Sequence, residues 1–355
     1  MTLKELQKIL TSIAPADREA MDRAKKRQAE LAKPPGSLGK LEDMSIRLAG
    51  ITGQVRNQLE SCRILVFAAD NGVIAEGVSS SPESVTMSQA VNMTRHITGM
   101  SALARYFGNS VVVADVGINA EVRCPAILNR KIRRSTRNLA KEPALTRQEV
   151  LDAMGVGLEL AGQAKEEGVQ AIGVGEMGIG NTTTSSAVAS VLLGRPVQEM
   201  TGRGAGLSDE GLRRKIDAIR RGIVVNRPDA ADPLGVLAAL GGFDIAGLCG
   251  VFLGGALENV PILMDGFISG VAALCAVRLC PAAAKAVFAS HVSSEPAARL
   301  VLEELDKKPF ITANLHLGEG TGAVASLPLW DMALAVYNGC YSFAEGGITP
   351  YTPQC

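Results

Sequence analysis

Short apolar segments recur along the chain, and each ends at a polar residue or a glycine. Five of them are candidate strands, at 64–69, 111–114, 171–174, 260–264 and 286–289. They are apolar on both faces and alternate with longer stretches that have helical patterns. This arrangement predicts an α/β fold in which helices cover both faces of a parallel sheet.

Polar residues follow these predicted strands. Parallel sheets bind ligands at the carboxyl ends of their strands, so we expect chemistry there. Loop exposure alone would explain any single polar residue, but five such ends together favour a site. The segment 70–89 after the first strand is long and mixes apolar residues with Ser79, Ser80 and Gln89. It is interpreted as a wall for a planar heteroaromatic ligand or, alternatively, as a surface excursion.

The two ends of the chain differ from its centre. Residues 1–50 include a charged helical pattern at 18–31, and 329–341 predicts a further helix. We interpret 1–50 together with 329–355 as a small helical domain, and 51–328 as the main domain.

Composition narrows the range of partners. The 355 residues include 36 Lys or Arg and 36 Asp or Glu, so the formal net charge is zero and no basic field predicts nucleic-acid binding. The apolar region 241–280 is broken by charges and glycines, which predicts buried core elements and no membrane association. Seven cysteines without a Cys-x-x-Cys pair, and a start without a signal-peptide pattern, predict a cytoplasmic protein with reduced thiols.

The segment 175–186 (GEMGIGNTTTSS) joins a predicted strand to a predicted helix. Its glycines allow a sharp turn, and the hydroxyls and helix N-terminus that follow suit an anion. It lacks the endings typical of nucleoside-triphosphate and dinucleotide loops, so a monophosphate is the expected ligand. A carboxylate, Glu176, lies inside this segment.

A second glycine-rich segment, 314–323, holds Glu319 between two glycines. Enclosed in an apolar pocket, this carboxylate would have a raised pKa and suit a general base. The alternative is that Glu319 only caps the following helix.

The segment 201–210 (TGRGAGLSDE) precedes a basic run that includes Lys215. Its glycines and cations could close over a phosphate from the other side. Equally, Ser208 or Asp209 could be an ordinary N-cap and the basic run a solvated helix face. The three histidines are far apart and form no metal-binding motif, so neither a metal nor another cofactor is expected.

Seven motifs in this order resemble the nicotinate-nucleotide:dimethylbenzimidazole phosphoribosyltransferases of cobamide nucleotide-loop assembly. They are 33–39 (KPPGSLG), 69–73 (ADNGV), 175–186, 202–204 (GRG), 265–269 (DGFIS), 290–291 (SH) and 316–322 (HLGEGTG). The resemblance covers nearly the whole chain. It implies a Rossmann-like sheet with a small helical domain made from both chain ends, and a dimer whose partner contributes to each site.

The resemblance also implies the reaction. Family members transfer the phosphoribosyl group of nicotinate mononucleotide to an aromatic base, and Glu319 matches the general base. The positions that match substrate contacts are Gly178, Gly180, Asn181, Thr182 and Lys215 for the phosphate, Gly202 and Gly204 for ribose and nicotinate, and Ser79 or Ser80, Gln89 and Leu317 for the acceptor. Glu176 is implied as a second carboxylate near the anomeric centre.

This chain departs from the family pattern at one position, and the departure bears on the identity of the acceptor. Many relatives have Asp-His-Gly where this chain has Asp70-Asn71-Gly72. Some relatives act as two-subunit enzymes on phenol or p-cresol, so a heterodimer with a paralogous subunit is a first alternative. A non-catalytic subunit that only binds the nucleotide is a second alternative, which Glu319 disfavours.

Overall fold

The structure is a computed structural model and describes residues 1–350. Residues 351–355, which include Cys355 and the end of the expected terminal helical domain, lie outside the described residues. Six strands form one parallel sheet: β1 (Cys62–Ala69), β2 (Ser110–Gly117), β3 (Ile127–Asn129), β4 (Ala171–Met177), β5 (Ile262–Met264) and β6 (Val287–Ala289).

Fourteen helices are formed by the described residues. They are α1 (Leu3–Ser12), α2 (Arg18–Glu30), α3 (Lys40–Thr52), α4 (Val85–Thr94), α5 (Gly99–Tyr106), α6 (Arg147–Glu166), α7 (Asn181–Leu192), α8 (Val197–Met200), α9 (Asp209–Asn226), α10 (Pro233–Leu240), α11 (Phe243–Glu258), α12 (Phe267–Leu279), α13 (Ala298–Glu304) and α14 (Thr321–Gly339). Short 3₁₀ turns lie at Gly72–Glu76 and Pro281–Ala286.

The strand order is β3-β2-β1-β4-β5-β6, so the direction of winding reverses between β1 and β4. Such a reversal leaves a crevice at the carboxyl ends of the two central strands, which is where open α/β sheets bind ligands. In this chain β1 runs into Asp70, and β4 carries Glu176 near its end. The predicted α/β fold with a parallel sheet is confirmed, and its topology locates the crevice.

Two apolar layers cover the sheet. One contains α6, α11 and α12, and the other contains α3, α4, α5 and α14. Helix α11 is buried along almost its whole length, as expected for the apolar region 241–280. Among residues 1–350 we find no helix that is both long and apolar enough to cross a membrane.

The chain ends meet at one side of the sheet. An apolar cluster joins α2, α3 and α14 through Ala20, Ala24, Leu31, Ala49 and Tyr337, and Leu31 pairs with Ser342. Helix α1 packs elsewhere, because its Leu6 belongs to the core layer that contains α11. The division into two domains stays a prediction.

Several boundaries differ from those expected. The last helix begins at Thr321, directly after the glycine-rich segment, and ends at Gly339, whereas 329–341 was expected. The segment 70–89 is not one long loop, because it contains a 3₁₀ turn and the first half of α4. Gln89 therefore lies on a helix. The six described cysteines are all free.

Candidate active site

A cavity of about 260 Å³ lies at the crevice between the carboxyl ends of the central strands. Carboxylates of β4 and of the loops after β5 and α13 line it, together with residues of α4 and the start of α7. A wider cleft of about 920 Å³ opens near the amino ends of the strands, but none of its charged residues, Arg56, Lys165 and Glu258, is buried. The smaller cavity therefore has the features of a reaction site.

Glu319 is buried in the wall of this cavity. Its carboxylate accepts hydrogen bonds from Gln89 Nε2 of α4 at 3.2 Å and from the backbone N–H of Met100 at the start of α5 at 3.5 Å. It does not cap α14, whose N-cap is Gly320, so the alternative reading of Glu319 as a cap is wrong. Burial raises the pKa of Glu319, while these hydrogen bonds lower it.

The backbone at Glu319 is unusual for a residue with a side chain. Its φ is 65°, which is in the left-handed region, and Gly320 follows with a φ of 98°. The Glu319 carbonyl lies directly against Gly175 of β4, where any side chain would overlap it. Gly320 and Gly175 thus let the Glu319 backbone pack closely against the end of β4.

Glu176 is the second carboxylate in the cavity, and it is buried on β4. The side-chain amide of Asn181 donates hydrogen bonds to Glu176 and to Asp244 of α11. Burial, and then the charges of Asp244 and Asp265, raise the pKa of Glu176 to about 8. At neutral pH the Glu176 side chain is therefore mainly a neutral acid.

Lys215 is fully buried on α9, next to Thr182, which lines the cavity. Its ammonium group donates to Thr182 Oγ1 at 2.7 Å and to the Gly202 carbonyl at 3.0 Å. Burial lowers the pKa of Lys215 to about 8. The basic run thus divides: Arg213 and Arg214 are exposed, as a solvated face requires, and Lys215 points inward. Ser208 is an ordinary N-cap, as the alternative reading proposed.

The predicted cradle forms the start of α7. Gly180 is the N-cap with a φ of 94° and has no side chain to cap the helix. Gly178, Thr182 and Gly204 line both the main cavity and a smaller one of about 80 Å³ beside it, whereas Gly180 lines only the smaller one. The side-chain amide of Asn181 donates to two carboxylates, and the expected contact of Asn181 with the phosphate stays a prediction.

The expected acceptor residues separate into two groups. Gln89 and Leu317 line the main cavity beside Glu319. Ser79 and Ser80 instead line the smaller cavity, together with Thr182 and Arg203, and the neighbouring Ser81 lines the main one. Ser79 Oγ accepts from the Ser81 backbone at 3.1 Å, which turns the chain between them.

Four side chains at the site had no role in the sequence analysis. Asp265 and His291 each follow a predicted strand and belong to two of the seven motifs. Nothing nearby in the sequence indicated what either side chain does. Asp244 is buried at the start of α11. Glu295 accepts from the Gly204 N–H at 2.9 Å and faces Lys215, a contact over 91 residues that local sequence does not encode.

A family model described as phosphoribosyltransferase matches residues 13–348. The chain is 45% identical over 353 residues to the nicotinate-nucleotide–dimethylbenzimidazole phosphoribosyltransferase of Ruminiclostridium cellulolyticum, covering 99% of each chain. It is 46% identical to the Acetivibrio thermocellus protein of the same name, covering 97% of this chain and 98% of the relative. The chain belongs to the nicotinate-nucleotide–dimethylbenzimidazole phosphoribosyltransferase family.

The fold of this family is also seen in a solved structure. The crystal structure of CobT from Thermus thermophilus matches with a TM-score of 0.90 at 38% identity, covering 94% of this chain and all of that chain. The family resemblance expected from the seven motifs is therefore confirmed along nearly the whole chain. The roles of individual site residues stay predictions.

Proposed function

We propose that the chain transfers the phosphoribosyl group of nicotinate mononucleotide to an aromatic base such as 5,6-dimethylbenzimidazole. The products are an α-ribotide (α-ribazole phosphate) and nicotinate, and the reaction serves cobamide nucleotide-loop assembly. Both substrates are small molecules. The observation that carries the proposal is the buried carboxylate of Glu319 in a cavity that is also lined by Thr182, whose hydroxyl accepts from the buried Lys215.

In the proposed reaction, Glu319 is the general base. One nitrogen of the azole attacks the anomeric carbon while the Glu319 carboxylate takes the proton from the other ring nitrogen. The bond from the anomeric carbon to the pyridine nitrogen of nicotinate breaks, and its electron pair neutralises that nitrogen. Attack from the opposite face inverts the β-nucleotide to the α-product. The raised pKa of Glu319 suits proton abstraction near neutral pH.

The phosphate is the proposed handle for orienting the nucleotide. Lys215, Thr182 and the first turn of α7 offer an ammonium group, a hydroxyl and a helix N-terminus, each of which binds phosphate oxygens well. Gly202 and Gly204 would border the ribose and nicotinate. Holding two reactants in line contributes a large share of the rate of such reactions.

Glu176 is proposed to lie beside the anomeric centre as a hydrogen-bonding acid. With a pKa of about 8, it is mainly neutral at pH 7 and adds little repulsion to a phosphate or to ionised Glu319. Asn181 orients it from the start of α7. This arrangement lets two carboxyl groups share one cavity.

No metal or cofactor is needed in this mechanism. Nicotinate leaves as a neutral pyridine, so the leaving group requires neither an acid nor a pyrophosphate-binding Mg²⁺. A cytoplasmic location and a dimer, either with a second copy or with a paralogous subunit, are further parts of the proposal.

The test uses the purified chain with nicotinate mononucleotide, EDTA and an equimolar mixture of benzimidazole, adenine, phenol and p-cresol. We expect nicotinate release and an azole ribotide by mass spectrometry, both lost in Glu319→Gln. Formation of a phenolic ribotide would show that the acceptor is a phenol and not an azole. Nucleotide binding without nicotinate release from any acceptor would refute the proposed activity.

A further inference from the structure

Asp265 links the strand edge to the loop that carries Glu319. It follows β5 directly, is only 3% exposed, and does not belong to the loop it holds. Its Oδ2 accepts the Gly320 N–H at 3.0 Å, and its Oδ1 accepts the Gly322 N–H at 2.7 Å. The two amides belong to residues one and three positions after Glu319, at the start of α14.

We propose that Asp265 is the positioning residue of Glu319: it caps α14 from another element and so holds the base over the cavity. The inference rests on the proposed function, because it concerns the residue that acts there as the base. Asp265 acts through the backbone and is not itself proposed to touch the substrate.

The backbone explains why an anchor is required. Glu319 and Gly320 both have positive φ, and the left-handed region is unfavourable for a residue with a side chain, such as Glu319. Gly320 offers no side chain to cap α14, so the first amides of this helix need an acceptor from elsewhere. Asp265 supplies two hydrogen bonds to them, and the close contact with Gly175 blocks movement toward β4.

His291 completes this anchor. Its Nδ1 lies 3.8 Å from Asp265 Oδ1 and 3.1 Å from Ser290 Oγ, and the imidazole packs against Gly322. Burial raises the pKa of Asp265, whereas His291 and the backbone amides of Gly322, Gly320 and Gly266 lower it. These interactions offset part of the effect of burial, which still keeps the pKa of Asp265 above its usual range.

Asp265 also acts on Glu319 through its charge. The titratable groups that line the cavity with Glu319 are Glu176 from β4, Asp265 after β5, His291 and Glu295 after β6, and His316. The neutral Gln89 and the Met100 amide donate to Glu319 from the helices. Burial and then the Asp265 charge raise the pKa of Glu319. Removing that charge therefore lowers the pKa of the base as well as loosening its loop.

The test compares Asp265→Asn with Asp115→Asn as a matched control. Asp115 is also buried, near the end of β2, and accepts the N–H groups of Gly117 and Ile118 at 3.1 and 2.9 Å, but it does not line the cavity. In Asp265→Asn we expect kcat to fall about 100-fold, KM for nicotinate mononucleotide to stay unchanged, and the acidic limb of the kcat profile to move to lower pH. Asp115→Asn should change neither kcat nor the pH of the acidic limb.

Equal kcat profiles of the two variants would overturn the inference, whereas an inactive wild-type chain would instead refute the proposed function. If Asp265→Asn does not fold, Asp265→Glu serves as the second variant. It keeps the charge but moves the carboxylate by one methylene, so kcat should fall about 10-fold with the acidic limb unmoved. Full activity of Asp265→Glu, or a displaced limb, would contradict the positioning role.

Discussion

Helices α7 and α14 begin with similar backbone geometry, but their first amides have different hydrogen-bond partners. Each follows a Gly-x-Gly sequence, and each has a glycine N-cap with positive φ, 94° at Gly180 and 98° at Gly320. Asp265 occupies the first amides of α14, whereas within residues 1–350 no side chain accepts from the first turn of α7. The start of α14 thus follows the proposed base, Glu319, and the start of α7 carries the proposed phosphate site.

Amides that already donate to a neighbouring carboxylate are not available to an anion, so the difference favours α7 over α14 as the proposed phosphate site. Lys215 strengthens the α7 side, because its ammonium group lies beside Thr182 in the first turn. The carboxyl groups of Asp265 and Glu319 lie at the start of α14 instead. If the two helix starts have separate roles, substitutions at each should change a different kinetic constant.

The largest effect is expected from Glu319→Gln. Loss of a positioned base should lower kcat about 10²–10⁴-fold while nucleotide binding, measured by calorimetry, stays intact. The wild-type kcat should rise with pH through the pKa of Glu319, which burial places above its usual range, because only the ionised carboxylate accepts the proton. Full activity of this variant would remove Glu319 from the mechanism.

Lys215→Met should mainly affect KM for nicotinate mononucleotide. Loss of a charged hydrogen bond to phosphate is expected to raise KM for nicotinate mononucleotide about 10–100-fold, with a smaller change in kcat. Arg213→Met is the control, since Arg213 lies on the same helix but is exposed. An unchanged KM in Lys215→Met would show that the phosphate does not bind at α7.

Glu176→Gln should alter stability in a pH-dependent way. Burial raises the folded-state pKa of Glu176 from 4.5 to about 8, so its favourable contribution is complete below 4.5 and is lost as pH rises to about 8. Glutamine does not titrate. The free energy of unfolding of the variant should therefore exceed that of the wild type by several kcal/mol at pH 9 but only slightly at pH 4.5. If urea melts gave the variant and the wild type equal free energies of unfolding at both pH values, Glu176 would not be a buried, protonated group.

The smallest effects are expected from Gly180→Ala and Gly320→Ala. Each places a side chain in the left-handed region, which should cost about 1–2 kcal/mol of stability in thermal melts. The strain should appear as a raised KM for the nucleotide in Gly180→Ala and as a lowered kcat in Gly320→Ala. The same kinetic change in both variants would mean that the two helix starts do not have separate roles.

Much of this site could be predicted from local sequence. The apolar strands indicated a parallel sheet, and the glycines at 178, 180, 318 and 320 indicated two sharp turns at its edge. The locations of Ser79 and Ser80 could not be predicted, because a two-residue turn decides which serine reaches the main cavity. Glu295 gave no signal, since its contact with Gly204 depends on how two distant loops pack.

The sequence alone determined the fold class, because apolar patterning and turn-forming residues act between neighbours in the chain. The seven motifs identified the family by resemblance, and the roles that this resemblance implies for Glu319 and Lys215 stay predictions. Only the tertiary structure decided the electrostatics. Burial of Lys215, protonation of Glu176 beside Asp244, and occupation of the α14 amides by Asp265 all depend on groups from separate elements. Charge interactions and desolvation act through space, so they are set by which side chains the fold encloses together.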